Sequence, residues 1–424
     1  MDSSVPSNFA TARILCIHAG MPAPAPPRAI TQEDVRRLRV RAQLLHRPRG
    51  LGPAGVVRRL CGVQAQDLSA ARLALRARTA GLTAAAVDEA RVRDRDVVWT
   101  WAMRGTLHFL AAEDVGWILP LLAPTTLPRS RRRLSQLGVA ADAQERAVRA
   151  VVRLLQDGPL TRGEIARGLA RRGIRAKGQA SVHLILRAAM DGFVCRGPDR
   201  DGEPTYVLLR DWTGPLRTVD REEALARLAL RYLTAYGPAE PPDLAAWSGL
   251  GLPDARRAWG LIADRLREVH VGARSLWMPR SQRITRPGRP VIRLVPSFDP
   301  YLLAYRTREF SVDTRFARRV HPGGGVLHPT LLVDGRAVAT WRSIRHSAGL
   351  HVAIEPFTSL DPDVEEAVEA EARDVARFLG LDLTRGRRSA ATPDARGPGR
   401  QARGGRRPRS ASPDHRAVPP SRRT

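Results

Sequence analysis

The feature that most constrains the fold is a run of three helices followed by two apolar strands, read between Ala143 and Leu209. Ala143 to Leu155 has helical apolar spacing and stops at Asp157-Gly158-Pro159. Thr161 with Glu164 three residues on has the spacing of a capping box, opening a short helix from Gly163 to Ala170 that Gly173 closes. A third helix runs from about Ser181 to Met190. Then come the apolar stretches Phe193–Cys195 and Tyr206–Leu209, separated by a loop rich in Gly, Pro and Asp. Three helices and a hairpin wing make a winged helix.

The pattern recurs twice. Glu222–Ala235, Pro242–Ser248 and Pro253–Leu266 form a second trio, followed by strands Val269–Val271 and Ser275–Met278 about Gly272. Earlier, Thr31 caps a helix to about Leu45, Pro53 opens one through Leu60, and a third lies near Thr83–Val92. A single strand, Val97 to Leu110, then alternates. Trp99, Trp101, Met103, Leu107 and Phe109 face one way, and Thr100, Arg104, Thr106 and His108 the other. That polar row suits phosphate or water contacts. From Arg286 the pattern turns to β: strand Val291–Val295, a hairpin Leu331–Trp341 over Asp334-Gly335, and strand His351–Ile354. An amphipathic helix, Pro362–Leu379, follows, with Glu365, Glu366 and Glu369 outward.

The expected fold is mainly α with β (α+β): three tandem winged-helix modules, a C-terminal β-rich portion and a disordered basic tail. The boundaries are 1–27 for a disordered extension and 28–138, 139–213 and 214–283 for the modules. The β-rich portion is 284–384 and the tail 385–424. Met1 and Met21 both stand as start codons, since ordered sequence begins only near Ala29.

Charge indicates the partner. The formal net charge is +28. Lys177 is the single lysine, and wholesale arginine usage is a coding bias that explains the choice of base but not its excess over acid. The last 40 residues carry 12 Arg against 2 Asp, a net +10, which leaves +18 on residues 1–384. A polyanion, double-stranded DNA, is the expected partner. The tail reads equally as a solvated segment or as a phosphate-binding arm. Cys16, Cys61 and Cys195 form no CxxC pair, and no membrane span appears. No metal or cofactor is expected, and the protein is read as a cytoplasmic, nucleoid-associated monomer.

The most informative segment is Val63-Gln-Ala-Gln-Asp67. Gly62 ends one helix and Asp67 caps the next, leaving Gln64-Ala-Gln66 extended, so that residues two apart point to the same side. Two neutral carboxamides projecting together offer donors and acceptors to a water or a purine edge.

Gly62-Val-Gln-Ala-Gln-Asp67 with Leu75-Arg-Ala-Arg78 resembles the signature of the AlkZ-type DNA glycosylases of the YcaQ-like superfamily. Trp101 to His108, Leu294 to Leu303, and Val333 to Trp341 are similar to later family segments, in the family's order, over about residues 29–380. The resemblance implies a monofunctional DNA glycosylase for N7-alkylated or interstrand-crosslinked purines. Gln64 and Gln66 are then catalytic, orienting water without repelling a cationic base as a nearby arginine would. Gln66, where relatives of simpler specificity carry Asp, puts the chain on the crosslink side.

The expected DNA contacts are Arg104, Thr106, His108, Ser181, His183, Arg187, Asp299, Tyr301, Trp341 and Arg342. Two roles stay open for His108, catalytic and structural or phosphate-contacting. The competing class is a winged-helix regulator or architectural protein without catalysis, and a lesion-binding paralogue that no longer cuts is a third. Three modules on one chain and an intact Gln-Ala-Gln favour the enzyme.

Overall fold

In the computed structural model the described residues are 28–284 and 288–384, so the expectations for 1–27 and 385–424 lie outside them. Helices Gln32–Ala42 and Pro53–Leu60 begin where Thr31 and Pro53 direct, and Thr31 closes a capping box with Asp34. Helix Leu68–Arg76 follows Asp67, and Ala84–Val92 follows Thr83, each started by a side chain accepting from free N–H groups of the first turn.

The single strand expected from Val97 to Leu110 is instead a hairpin. Val97–Trp101 and Leu107–Ala111 pair antiparallel across a one-turn 3-10 segment, Met103–Gly105. The alternation survives because the partners match in kind, Trp99 opposite Phe109 and Thr100 opposite His108. Both faces are buried, however, so no polar row meets solvent.

That hairpin sits inside a six-stranded sheet. In order its strands are Val63–Gln64, Leu107–Ala111, Val97–Trp101, Val194–Arg200, Glu203–Leu208 and Leu160–Thr161. The wing of the central trio thus continues the first hairpin, with Trp99 paired to Arg196. Aromatic faces and guanidinium groups close the seam. Arg196 lies 4.8 Å from the ring centres of Trp99 and Tyr206, Arg91 lies 4.9 Å from Trp99, and Trp101 stacks on Tyr206 at 6.2 Å.

The 25-residue helix Ala112–Gln136 contains Pro120, Pro124 and Pro128, and each proline removes one backbone donor. Burial of Leu119, Leu121, Leu122, Leu127 and Leu134 overrides that propensity. Helices Ala141–Leu154, Arg162–Ala170 and Gln179–Met190 then precede the wing, the second opened by the Thr161–Glu164 capping box.

Helices Arg221–Tyr236, Pro241–Ser248 and Leu252–Gly260 lead into strands Leu266–Val271 and Arg274–Pro279. Arg28–Ala29 adds to that sheet as a parallel edge against Val269 and His270. A four-stranded sheet follows, in order Ile292–Val295, Thr330–Val333, Arg336–His346 and Gly349–Pro356. Its Asp334-Gly335 turn has φ of +46° and +76°, the mirror-image conformation that matches strand twist. A Cβ at Gly335 would lie 2.1 Å from the Tyr301 hydroxyl, which donates to the Gly335 carbonyl at 3.0 Å.

Helix Pro362–Leu379 has the bounds expected from sequence, with Glu365, Glu366 and Glu369 exposed. Two further acids, Glu371 and Asp374, turn inward. Glu371 and Asp374 take ion pairs from Arg76, buried completely, and from Arg47, and Arg293 joins at Glu371. The C-terminal helix is thereby stapled to helix Leu68–Arg76. Among the described residues no helix is long and apolar enough to cross a membrane.

Candidate active site

The Gln-Ala-Gln link is held by its backbone. Helix Pro53–Leu60 ends on Cys61 in the left-handed region, with Gly62 at φ +116° behind it, and the chain emerges as the short strand Val63–Gln64. Ala65 N–H donates to the Leu107 carbonyl at 2.7 Å, and the Ala65 carbonyl accepts from the Trp99 indole at 3.0 Å. Ala65 is wholly buried, which explains an apolar residue between two polar ones. Asp67 then caps the next helix, accepting from Ser69 and Ala70 N–H. Both ends of the link are fixed, so the two side chains project from a rigid base.

Both carboxamides are also oriented. The Gln64 Oε1 accepts from Arg104 Nη2 at 2.8 Å, and the Gln66 Oε1 accepts from Leu107 N–H at 3.2 Å. A guanidinium and a backbone N–H only donate, so each bond selects one of the two flips of its amide. The Nε2 groups are left as the outward donors. Gln64 is half-buried and Gln66 exposed, as a link between protein and solvent-borne substrate requires.

Arg104 adopts φ +56° in the turn between the hairpin strands. Its Nη1 donates to the Trp247 carbonyl in the last turn of helix Pro241–Ser248. Arg104, expected among the DNA contacts, is placed by the structure in direct contact with Gln64. Its charge faces a helix C-terminus, whose free carbonyls carry partial negative charge.

His108 lies opposite Gln64 in register and opposite Thr100 on the other side, forming a row across three strands. It is 2 % exposed, so the phosphate contact expected of it is corrected to an internal role. Its Nδ1 sits 2.9 Å from the Thr106 carbonyl, which accepts only, so the proton is on Nδ1 and Nε2 keeps its lone pair. Burial, with Arg104 adding repulsion, holds its pKa down to about 3, and the ring is neutral throughout the physiological range. The Thr100 hydroxyl beside it is buried without a hydrogen-bond partner among the described residues. Thr106 is half-buried and donates to the Met103 carbonyl at 3.2 Å, shaping the turn.

The remaining expected DNA contacts divide by burial. Ser181 is 3 % exposed and donates to the Gly178 carbonyl at 2.8 Å, and Arg187, 2 % exposed, pairs with Glu145. Asp299 is wholly buried in a two-pronged pair with Arg78, at 2.7 and 2.8 Å. Tyr301 holds the Gly335 turn, and the Trp341 indole donates to the Val295 carbonyl at 2.7 Å. Those five, like His108, are corrected from DNA contacts to framework residues, because each is sequestered with a partner inside the protein. Spacing alone does not distinguish a polar residue aimed at a ligand from one aimed at a distant strand. His183, half-buried, shares a contact with Ser130, and Arg342 is exposed.

Among the described residues neither thiol competes as a nucleophile. Burial pushes Cys61 up to about 12 and raises Cys195 as well. Among the described residues no group of three or more His, Cys, Asp or Glu is placed to hold a metal. Sequence reasoning missed the Arg104–Gln64 contact, for which the only signal was the polar residue in a turn following the alternating strand.

Residues 57–378 match the family model described as "DNA glycosylase AlkZ-like". An interstrand DNA cross-link repair glycosylase of Streptomyces sahachiroi is 32 % identical over 350 residues, covering 77 % of this chain and 90 % of that protein. The solved structure of the Streptomyces sahachiroi DNA glycosylase AlkZ superposes with a TM-score of 0.69 at 28 % identity, covering 84 % of this chain and 99 % of the other. The chain belongs to the AlkZ-like DNA glycosylase family.

Proposed function

We propose that this glycosylase excises N7-alkylated purines from duplex DNA, including purines joined in interstrand crosslinks, by direct attack of water. The three sets of helices, each with its hairpin, are read as winged-helix modules over 28–138, 139–213 and 214–283, contributed to one DNA-binding surface. The observation that carries the proposal is the pair of carboxamides on a backbone-clamped link, each oriented by a donor-only partner.

An N7-alkylated purine is cationic and leaves readily, so the reaction needs positioned water and stabilised positive charge at the sugar rather than a strong acid. The Nε2 group of Gln66, the more exposed amide, donates one hydrogen bond to the water oxygen, which keeps its other lone pair free. Each amide oxygen keeps a second lone pair, which accepts a hydrogen bond from a water O–H and turns the free oxygen lone pair toward the anomeric carbon. Water attacks C1′, the C1′–N9 bond breaks with its electrons going to the neutralised base, the added water loses its surplus proton to solvent, and an abasic site remains. Arg342, on the exposed arm of the long hairpin, is read as a phosphate partner. The enzyme is read as a monomer working at the nucleoid.

The test is a duplex carrying a single N7-methylguanine, incubated with wild type and with Gln64→Ala/Gln66→Ala, abasic sites being revealed by mild alkali. Cleavage by wild type alone, with the variant slower by roughly a hundred-fold or more, supports the proposal; crosslinked duplexes follow. Salt-sensitive binding without cleavage by either protein, on both substrates, returns the chain to a non-catalytic DNA-binding role. Cleavage by both keeps the activity and removes the glutamines.

A further inference from the structure

Arg104 was expected on the DNA, yet its guanidinium is already committed on both arms. One Nη donates to Gln64 and the other to the Trp247 carbonyl, on an element 143 residues away in sequence. We infer that Arg104 is a positioning residue for the glycosylase reaction, which fixes the Gln64 amide and makes its orientation depend on docking of helix Pro241–Ser248. The inference rests on the assignment of Gln64 to the chemistry.

The terminal torsion of a glutamine is broad and roughly two-fold, so an unrestrained Gln64 would present oxygen or nitrogen with little preference. Arg104 admits one of these states, because nothing on a guanidinium accepts a hydrogen bond. It also withdraws charge through Oε1, which makes the outward Nε2–H groups stronger donors.

The cation is held there by a conformation that ordinary residues avoid. A non-glycine residue at φ +56° persists only where its surroundings require it. Here the surroundings are Gly249, the left-handed cap of helix Pro241–Ser248 at φ +86°. A Cβ on Gly249 would stand 3.1 Å from the Arg104 backbone nitrogen and 3.2 Å from its Cα, so the helix end rests directly on the turn. Helix, turn and amide form one chain of contacts: Trp247 carbonyl, Arg104, Gln64.

A phosphate grip would look different. It would leave the guanidinium exposed and free of internal acceptors, whereas this one is half-buried and bridges two carbonyl-type oxygens. Lysine cannot replace it, since a point charge on a flexible stem does not span two fixed acceptors in a plane.

The experiment is a double-mutant cycle under single-turnover conditions on the N7-methylguanine duplex. The full chain is used as wild type, Arg104→Ala, Arg104→Lys, Gln64→Ala and Arg104→Ala/Gln64→Ala. The equilibrium dissociation constant and its salt slope are measured alongside on undamaged duplex. A positioning residue predicts a fall in excision rate of up to about a hundred-fold for both Arg104 variants. It also predicts affinity within about two-fold of wild type and a salt slope unchanged, against a loss of about one charge for a phosphate contact. The double variant should be no slower than Gln64→Ala, because residues acting as a unit are non-additive.

The inference is overturned if the Arg104 loss multiplies in full onto Gln64→Ala, or if it appears in affinity and salt slope with the rate intact. Should Arg104→Ala fail to fold, Arg104→Lys decides, and a wild-type rate in that variant overturns the inference. If Gln64→Ala excises at the wild-type rate, the glutamine assignment falls, and this inference with it. That outcome is separable from the others because it is read on a variant in which Arg104 is intact.

Discussion

His108 illustrates how a polar residue beside the Gln-Ala-Gln link acquires its character from neighbours. Its ring is closed off by the sheet, bonded at Nδ1 and neutral. With a folded pKa of about 3 against about 6.5 in the unfolded chain, the unfolded state takes up a proton that the folded state refuses. Stability from this group is therefore complete above pH 6.5 and is lost progressively as pH falls toward 3. Between pH 6.5 and 4.5 the loss is about 2 kcal/mol. His108→Gln removes this contribution, so urea unfolding at the two pH values should show a smaller acid loss in the variant by about that amount. An equal loss in both proteins would mean that His108 is exposed or paired in the folded state. The excision rate should show no ionisation of this residue between pH 5 and 8.

At the scale of elements, most of the family's recognisable segments prove to be framework. Leu75-Arg-Ala-Arg78 supplies two wholly buried guanidinium groups, Arg76 to the C-terminal helix and Arg78 to Asp299. Breaking a buried pair by removing one partner costs about 3–5 kcal/mol, since the remaining charge is stranded. Asp299→Asn should lower the unfolding free energy by that order. Arg373→Ala, which removes an exposed partner of Glu369, should change it by less than about 1 kcal/mol. Denaturant midpoints with unchanged m-values would settle the comparison, and near-equal effects would refute the framework role.

The same elements mark how far the sequence was legible. Capping residues and turn glycines carry local instructions, so Thr161, Asp67, Asp334-Gly335 and the bounds of Pro362–Leu379 were readable from neighbours three or four positions away. Periodicity gave the sidedness of Trp99 and Thr100 but not the turn at Met103–Gly105, because alternation of kind is preserved across a tight hairpin. Helix Ala112–Gln136 had three prolines against it and is formed by long-range burial. At the site, the adjacency of Gln64 and Gln66 was local and legible. The Arg104 contact was visible as a candidate side chain but not in its target, and the third partner, the Trp247 carbonyl, has no side-chain signal at all.

For the whole molecule, the relevant quantity is the distribution of charge. Of the net +28, residues 1–384 carry +18 and the last 40 residues +10. Five arginines of the first set, Arg39, Arg76, Arg78, Arg91 and Arg187, are nearly or fully buried. The 12 tail arginines fall within 40 residues, the charge density that a phosphate-binding arm would carry. A chain ending at Thr384 should bind undamaged duplex with a shallower dependence of log K on log salt, by several counterions, while excising lesions at an unchanged single-turnover rate. An unchanged slope would identify the tail as a bystander.

The staple between Arg76 and Asp374 joins residues 298 apart, and the Arg78–Asp299 pair spans 221. On the ribosome this ordering sets a timetable. Helix Leu68–Arg76 emerges early with side chains whose counter-charges are not yet synthesised, so it cannot settle into its final environment until nearly the whole described chain has been made. The glutamine link lies immediately upstream of that helix and inherits the delay. Catalytic competence is then among the last properties a nascent molecule acquires.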